Sequence, residues 1–161
     1  MICVRAFAPG DEDAFRYLFR AYLTHYGMDE EPGGMDRMIE HLIAGRHMSC
    51  HLAWDGDTPA GFTTWNLAFP ARSGLSLVMK ELFVTPDARG TGLGRALLAA
   101  LAREASDLGC VRLDWATDGD NPGAQAFYAS LGLKPTGKIS YRVDDSELVD
   151  FANRIGGNKP D

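Results

Sequence analysis

Three glycines at alternating positions, Gly90, Gly92 and Gly94, stand inside the run Leu82-Phe83-Val84-Thr85-Pro86-Asp87-Ala88-Arg89-Gly90-Thr91-Gly92-Leu93-Gly94-Arg95-Ala96-Leu97-Leu98. The run opens as an apolar strand, breaks at Pro86 and continues as a helix. Glycine takes positive φ easily and lets a ligand approach the backbone without meeting a Cβ. The first N–H groups of a helix lack internal acceptors, and the aligned peptide dipoles add about half a positive charge there. Together these features make a seat for a diphosphate. Arg89 and Arg95, which bracket the turn, can add charge or fix the loop.

Two other phosphate-binding readings fit less well. Asp114 ends a strand about 20 residues after Gly94, where the ribose-binding acid of a dinucleotide fold would sit. Neither register of G-x-G-x-x-G is complete, however, because Arg95 and Leu97 occupy the third positions. No Gly-Lys-Ser/Thr follows the turn, so a P-loop is excluded. Four histidines, His25, His41, His47 and His51, lack metal-ligand spacing, and we expect no metal. Cys3, Cys50 and Cys110 form no CxxC pair. We expect buried, structural thiols in a reducing, cytoplasmic compartment.

The run Arg89-x-x-Gly92-x-Gly94 after a strand resembles the coenzyme A diphosphate motif of the GNAT superfamily of N-acetyltransferases. Downstream, Asn121-Pro122-Gly123-Ala124-Gln125-Ala126-Phe127-Tyr128-Ala129-Ser130-Leu131-Gly132-Leu133 resembles the second motif of that family. The order and separation match. Gly61 to Phe69, Met79 to Val84 and Tyr141-Arg142-Val143 are similar to the spermidine/spermine (diamine) branch. The resemblance implies acetyl-CoA as co-substrate and a small amine or polyamine as acceptor, with a homodimer common among similar proteins. A protein or peptide amine, or a domain that binds acyl-CoA without turnover, is the alternative.

Acetyl transfer from a thioester to an amine needs a fixed donor, a neutral amine, a stabilised oxyanion and a proton for the departing thiolate. The resemblance assigns donor binding to Leu82, Phe83, Val84, Arg89, Gly90, Thr91, Gly92, Leu93, Gly94, Arg95, Ala96, Asn121, Ala124, Phe127 and Tyr128. In it, backbone groups near Leu82 and Val84 hold the pantetheine arm where the strand splays from its neighbour. Tyr128 is the candidate general acid, since a phenol with a pKa of about 10 carries a proton to give at neutral pH. Without the motif, one aromatic of Phe127-Tyr128 would simply be core. Glu81 is the candidate base, directly or through water. In the diamine branch the favoured base aligns with Lys80, which alternation sends to the opposite face of a strand, so water or another residue stays open as base.

The elements that must position these groups follow from periodicity and punctuation. Ile2 to Ala8 reads as a strand broken by Pro9-Gly10, and Asp11 can cap a helix from Glu12 to His25. Phe15, Leu18, Phe19, Tyr22 and Leu23 make its buried face. Met35 to Ala44 is a shorter amphipathic helix with Met35, Met38, Ile39 and Leu42 inward. Ser49 to Trp54 and Ala60 to Phe69 flank the hairpin signal Asp55-Gly56-Asp57. Strands then span Ser76 to Val84, Val111 to Trp115 and Lys138 to Val143. Helices span Gly92 to Leu108, Gly123 to Leu131 and Ser146 to Ile155. Trp65 and Trp115 read as packing residues or walls of an acceptor cleft.

This order predicts an α/β (α+β) fold: a mixed, mostly antiparallel central sheet of about six to seven strands flanked by helices. At 161 residues the chain suits one domain, residues 1–155, with 156–161 a flexible tail. The formal net charge is −6, from 22 acidic and 16 basic residues. That argues against nucleic acid as partner, favours a basic substrate and aids solubility. No apolar run is long enough to span a membrane, and a charge at Arg5 interrupts any leader-like stretch.

Overall fold

The computed structural model describes residues 1–69 and 74–156. They fall into two compact units, Met1–Ala116 and Thr117–Asp161. Most of the expected tail, residues 157–161, lies outside the described residues, as does the stretch 70–73.

In the first unit the order is β1 (Ile2–Ala6), α1 (Glu12–His25), α2 (Gly34–Ala44), β2 (Ser49–Asp55), β3 (Thr58–Ala68), β4 (Ser76–Val84), α3 (Leu93–Asp107) and β5 (Arg112–Asp114). The strands lie side by side in chain order. The β1–β2, β2–β3 and β3–β4 pairs are antiparallel. The last pair, β4–β5, is parallel, which requires a crossover, and α3 supplies it.

The inner strands are buried on both faces, so β3 is buried without a break from Ala60 to Trp65. One face carries Cys50, Leu52, Phe62 and Phe83 against Phe15 and Leu18 of α1 and Met35, Ile39 and Leu42 of α2. The other carries Ala53 and Ala60 against Leu93 and Leu97 of α3, with Leu82 and Val84 beside them. Alternation therefore sends Phe83 to the α1–α2 side and Leu82 and Val84 to the α3 side. Each fully buried large side chain contributes about 1.5–3 kcal/mol relative to exposure. Asp11 does not cap α1 through its side chain. Arg5 donates to both of its carboxylate oxygens at 2.6 and 2.7 Å, and the Ala8 N–H donates at 2.9 Å. These bonds hold the Asp11 carboxyl below its ordinary range, with Arg5 the largest cause.

The second unit contains α4 (Pro122–Ser130), a 3-10 turn at Asp145–Glu147 and α5 (Leu148–Gly156). Lys138–Val143 is not a strand, so the sheet has five strands among the described residues and not six or seven. Its alternation, Lys-Ile-Ser-Tyr-Arg-Val, has the right period, but a strand also needs a hydrogen-bonded neighbour. Here Ile139 and Tyr141 on one face are 78% and 91% exposed, and Lys138, Ser140 and Arg142 on the other are exposed as well, so neither face is covered. No helix among the described residues is long and apolar enough to cross a membrane. Of the three thiols, Cys50 is buried, Cys110 is half-buried and Cys3 is exposed, so the expectation of uniformly buried cysteines fails at Cys3.

Candidate acyl-donor and acid–base site

The glycine turn is built as its composition demands. β4 ends at Val84, a 3-10 turn covers Pro86–Ala88, and Gly92 caps α3 with φ 93°. Gly90 also has positive φ, at 78°, and a Cβ at either glycine would meet nothing within 4 Å. The turn is therefore open above both glycines, and backbone N–H groups at a helix start suit a diphosphate. The first hydrogen bond of α3 runs from Ala96 N–H to the Gly92 carbonyl, which leaves the amides of Leu93 and Gly94 without an intrahelical acceptor. The Leu93 side chain is 1% exposed and belongs to the core, so only its backbone faces a ligand. Phe83 is likewise a core side chain. Thr91 Oγ1 donates to the Ala88 carbonyl at 2.6 Å and braces the loop. Arg95 and Ala96 lie in the first turn of α3.

Arg89 fixes the loop from the side. Its Nε donates to the Val84 carbonyl at 3.2 Å, and its Nη2 lies 3.3 Å from His25 Nε2. His25 closes α1, so Arg89 ties that helix end to the turn. Nothing in the spacing of His25 and Arg89, 64 residues apart, signals the contact.

Among the described residues of this unit, the upstream strand is unpaired in the sheet along part of one edge. β5 pairs with β4 only at Ser76, Leu77 and Val78. From Met79 to Val84, β4 is paired within the sheet only to β3. Thr85 N–H donates to the Ala60 carbonyl of β3, so by alternation the backbone groups of Leu82 and Val84 point to the unpaired edge, where the Val84 carbonyl already accepts from Arg89 Nε. An extended ligand arm can pair there and run on into the glycine turn.

Glu81 sits at an irregularity in this strand. The register with β3 runs Thr64↔Glu81 and then Trp65↔Met79, so Lys80 is an extra residue with no partner. That is a β-bulge, which re-aims the side chains around it. Lys80 is exposed, while Glu81 is half-buried and lies opposite Thr64. Burial pushes the Glu81 carboxyl above its ordinary range, and the charge of Lys80 offsets part of the rise. An acid moved toward neutrality in this way suits proton transfer. Cys50 is an unsuitable nucleophile, because burial pushes its thiol well above the usual thiol range.

Within the second unit, Asn121 caps α4, its Oδ1 accepting the Ala124 N–H at 3.1 Å. Asn121, Ala124 and Tyr128 follow one another at helical spacing along one stripe. Phe127 and Tyr128 pack with ring centroids 5.4 Å apart, and both are half-buried. Trp65 is a packing residue: it is 7% exposed and its Nε1 donates to His51 Nδ1 at 3.2 Å. Burial lowers the His51 pKa against an opposing pull from Glu104. Sequence reasoning missed Thr63 and Thr64, whose hydroxyls surround Glu81.

The model of the Acetyltransferase (GNAT) family matches residues 14–133. The thialysine N-epsilon-acetyltransferase of Caenorhabditis elegans is 34% identical over 106 residues, 63% of this chain and 66% of that protein. The mycothiol acetyltransferase of Arthrobacter sp. (strain FB24) is 30% identical over 147 residues, 82% of this chain but 42% of that protein. The chain thus spans less than two thirds of either relative. Among solved structures, AAC(6')-Iy in complex with a bisubstrate analogue, CoA-S-monomethyl-acetylneamine, superposes with a TM-score of 0.79. It is 19% identical and is matched over 89% of this chain and 98% of that one. At that identity the likeness speaks for the fold alone.

Proposed function

Since the chain belongs to the Acetyltransferase (GNAT) family, we propose that it transfers acetyl from acetyl-CoA to the primary amine of a small molecule or polyamine. The observation that carries this reading is the continuous backbone path from the open β4 edge at Leu82 and Val84 into the glycine cradle at Gly90 and Gly92. Such a path suits a long ligand with an amide-bearing arm at one end and a diphosphate at the other. The net charge of −6 and the amine-directed name of the thialysine relative favour a small cationic acceptor. Residues 1–155 act as one acetyltransferase domain, a reading supported by a family match that runs from residue 14 to 133. Its thiols suit a reducing, cytoplasmic setting.

In this reading Leu82 and Val84 hold the arm through backbone groups, and the amides of Leu93 and Gly94 take the diphosphate. Glu81 removes a proton from the acceptor ammonium, and the neutral amine forms its bond to the acetyl carbon as the carbon–sulfur bond breaks. Tyr128 gives its phenolic proton to the departing sulfur and regains one from the nitrogen of the new amide. Asn121, Ala124 and Phe127 line the arm.

The test is thermal melting with and without acetyl-CoA, followed by thiol release against polyamines, amino acids, aminoglycosides and peptides. Saturation at about 100 times Kd should add about 2.7 kcal/mol of stability by linkage. Gly92→Val should abolish that shift, because a branched side chain at φ 93° strains the turn and fills the cradle. A wild-type melt that acetyl-CoA leaves unmoved would refute the proposal. Turnover confined to peptides would move the acceptor to a protein amine.

A further inference from the structure

Glu81 pairs with Thr64 directly beside the bulge at Lys80, where its polar groups can take further hydrogen-bond partners. Two neighbouring hydroxyls supply them. Thr63 Oγ1 donates to the Glu81 carbonyl at 2.8 Å. Thr64 Oγ1 accepts the Glu81 N–H at 3.2 Å and donates to Glu81 Oε2. A hydroxyl has one proton to donate and two lone pairs, so Thr64 can do both at once. Thr63 and Thr64 are 0% and 1% exposed, so water does not compete for either hydroxyl. Neighbouring strand residues point to opposite faces, yet both reach Glu81, one at its carbonyl and the other at its amide and carboxylate.

We propose that Thr64 is a positioning residue for proton removal: it holds Glu81 by Oε2 and leaves Oε1 to take the proton of the acceptor ammonium. This rests on the reading of Glu81 as base. The proton passes from the ammonium nitrogen to Oε1, which leaves a neutral amine and a protonated carboxyl. The charged or titratable groups facing Glu81 are Lys80 on its own strand and Cys50 on β2, which feels the Glu81 charge. No ion pair fixes the carboxylate among the described residues. Its orientation therefore comes from the hydroxyl. A donor to the ionised form also opposes the upward push of burial.

The experiment is the pH profile of kcat/KM with saturating acetyl-CoA for Thr64→Val, Thr64→Ser and Glu81→Gln. Activity should fall on the acid side as Glu81 takes a proton. Thr64→Val removes the donor at constant shape, so that limb should move to higher pH and kcat should drop about tenfold, in line with the cost of a hydrogen bond to a charged group. Thr64→Ser should restore both, and the melting shift produced by acetyl-CoA should stay unchanged in all three variants. Should Thr64→Val not fold, Thr64→Ala carries the same comparison. An acid limb left in place by Thr64→Val but removed by Glu81→Gln overturns the role of Thr64 alone. A limb that survives Glu81→Gln overturns the reading of Glu81 as base. Loss of acetyl-CoA binding in Thr64→Val would mark a structural role and also overturn the proposal.

Discussion

Tyr128 shows how much a single atom can be asked to do. Its ring packs against Phe127 at 5.4 Å, and Tyr128→Phe keeps that ring contact while deleting the hydroxyl. If the phenol delivers the proton to sulfur, kcat should fall by about 10²–10⁴, the usual worth of a general acid. Acetyl-CoA should still raise the melting temperature as it does for the wild type. Pre-steady-state thiol release separates the two effects, and a variant that releases thiol at the wild-type rate would remove Tyr128 from the acid role. At this scale the sequence was legible where residue type alone carries the chemistry. Glycine at Gly90 and Gly92 announces its backbone freedom, and the structure has both at positive φ. The hydroxyls of Thr63 and Thr64 were illegible, because threonine in a strand reads as an ordinary β-former. Their meaning comes from a register shift in the opposite strand, which no local pattern encodes.

Among the elements, the boundaries read most accurately where a strong period meets a strong breaker. α1 spans Glu12–His25 and β4 spans Ser76–Val84, both as expected, the first bounded by Pro9-Gly10 and Gly27 and the second by Pro86. Lys138–Val143 failed because alternation states which residues share a face, not whether a neighbouring strand exists. The β3–β4 pair also contains a constraint that periodicity cannot display. A Cβ on Gly61 would lie 2.7 Å from the Phe83 carbonyl oxygen and 3.4 Å from Leu97 Cδ1. The first of these is backbone in a paired strand and cannot swing aside. Gly61→Ala should therefore force β3 and β4 apart, at about 1–3 kcal/mol for an overpacked core site. For a chain of this size that lowers Tm by about 2–12 °C. The strain falls beside Val84, so acetyl-CoA affinity should drop as well. A melt indistinguishable from the wild type would show that the strands separate without cost.

At the scale of the whole molecule, the excess of acidic over basic residues makes a prediction that no single contact makes. A net charge of −6 sets up a field that attracts a polyamine and repels acetyl-CoA, whose diphosphate end is anionic. The two substrates should then respond to salt with opposite signs. The screening length shrinks from about 30 Å at 0.01 M to about 8 Å at 0.15 M ionic strength. Over that range kcat/KM for a triamine should fall several-fold, as expected when steering is lost. Under the same conditions kcat/KM for acetyl-CoA should stay level or rise, because screening removes a repulsion. A monoamine serves as the internal control, since its single charge couples more weakly to the same field. Steady-state kinetics at fixed pH in sodium chloride, with each substrate varied in turn, would reveal the pattern. Equal salt responses for triamine and monoamine would show that the charge serves solubility and leaves acceptor choice to local contacts.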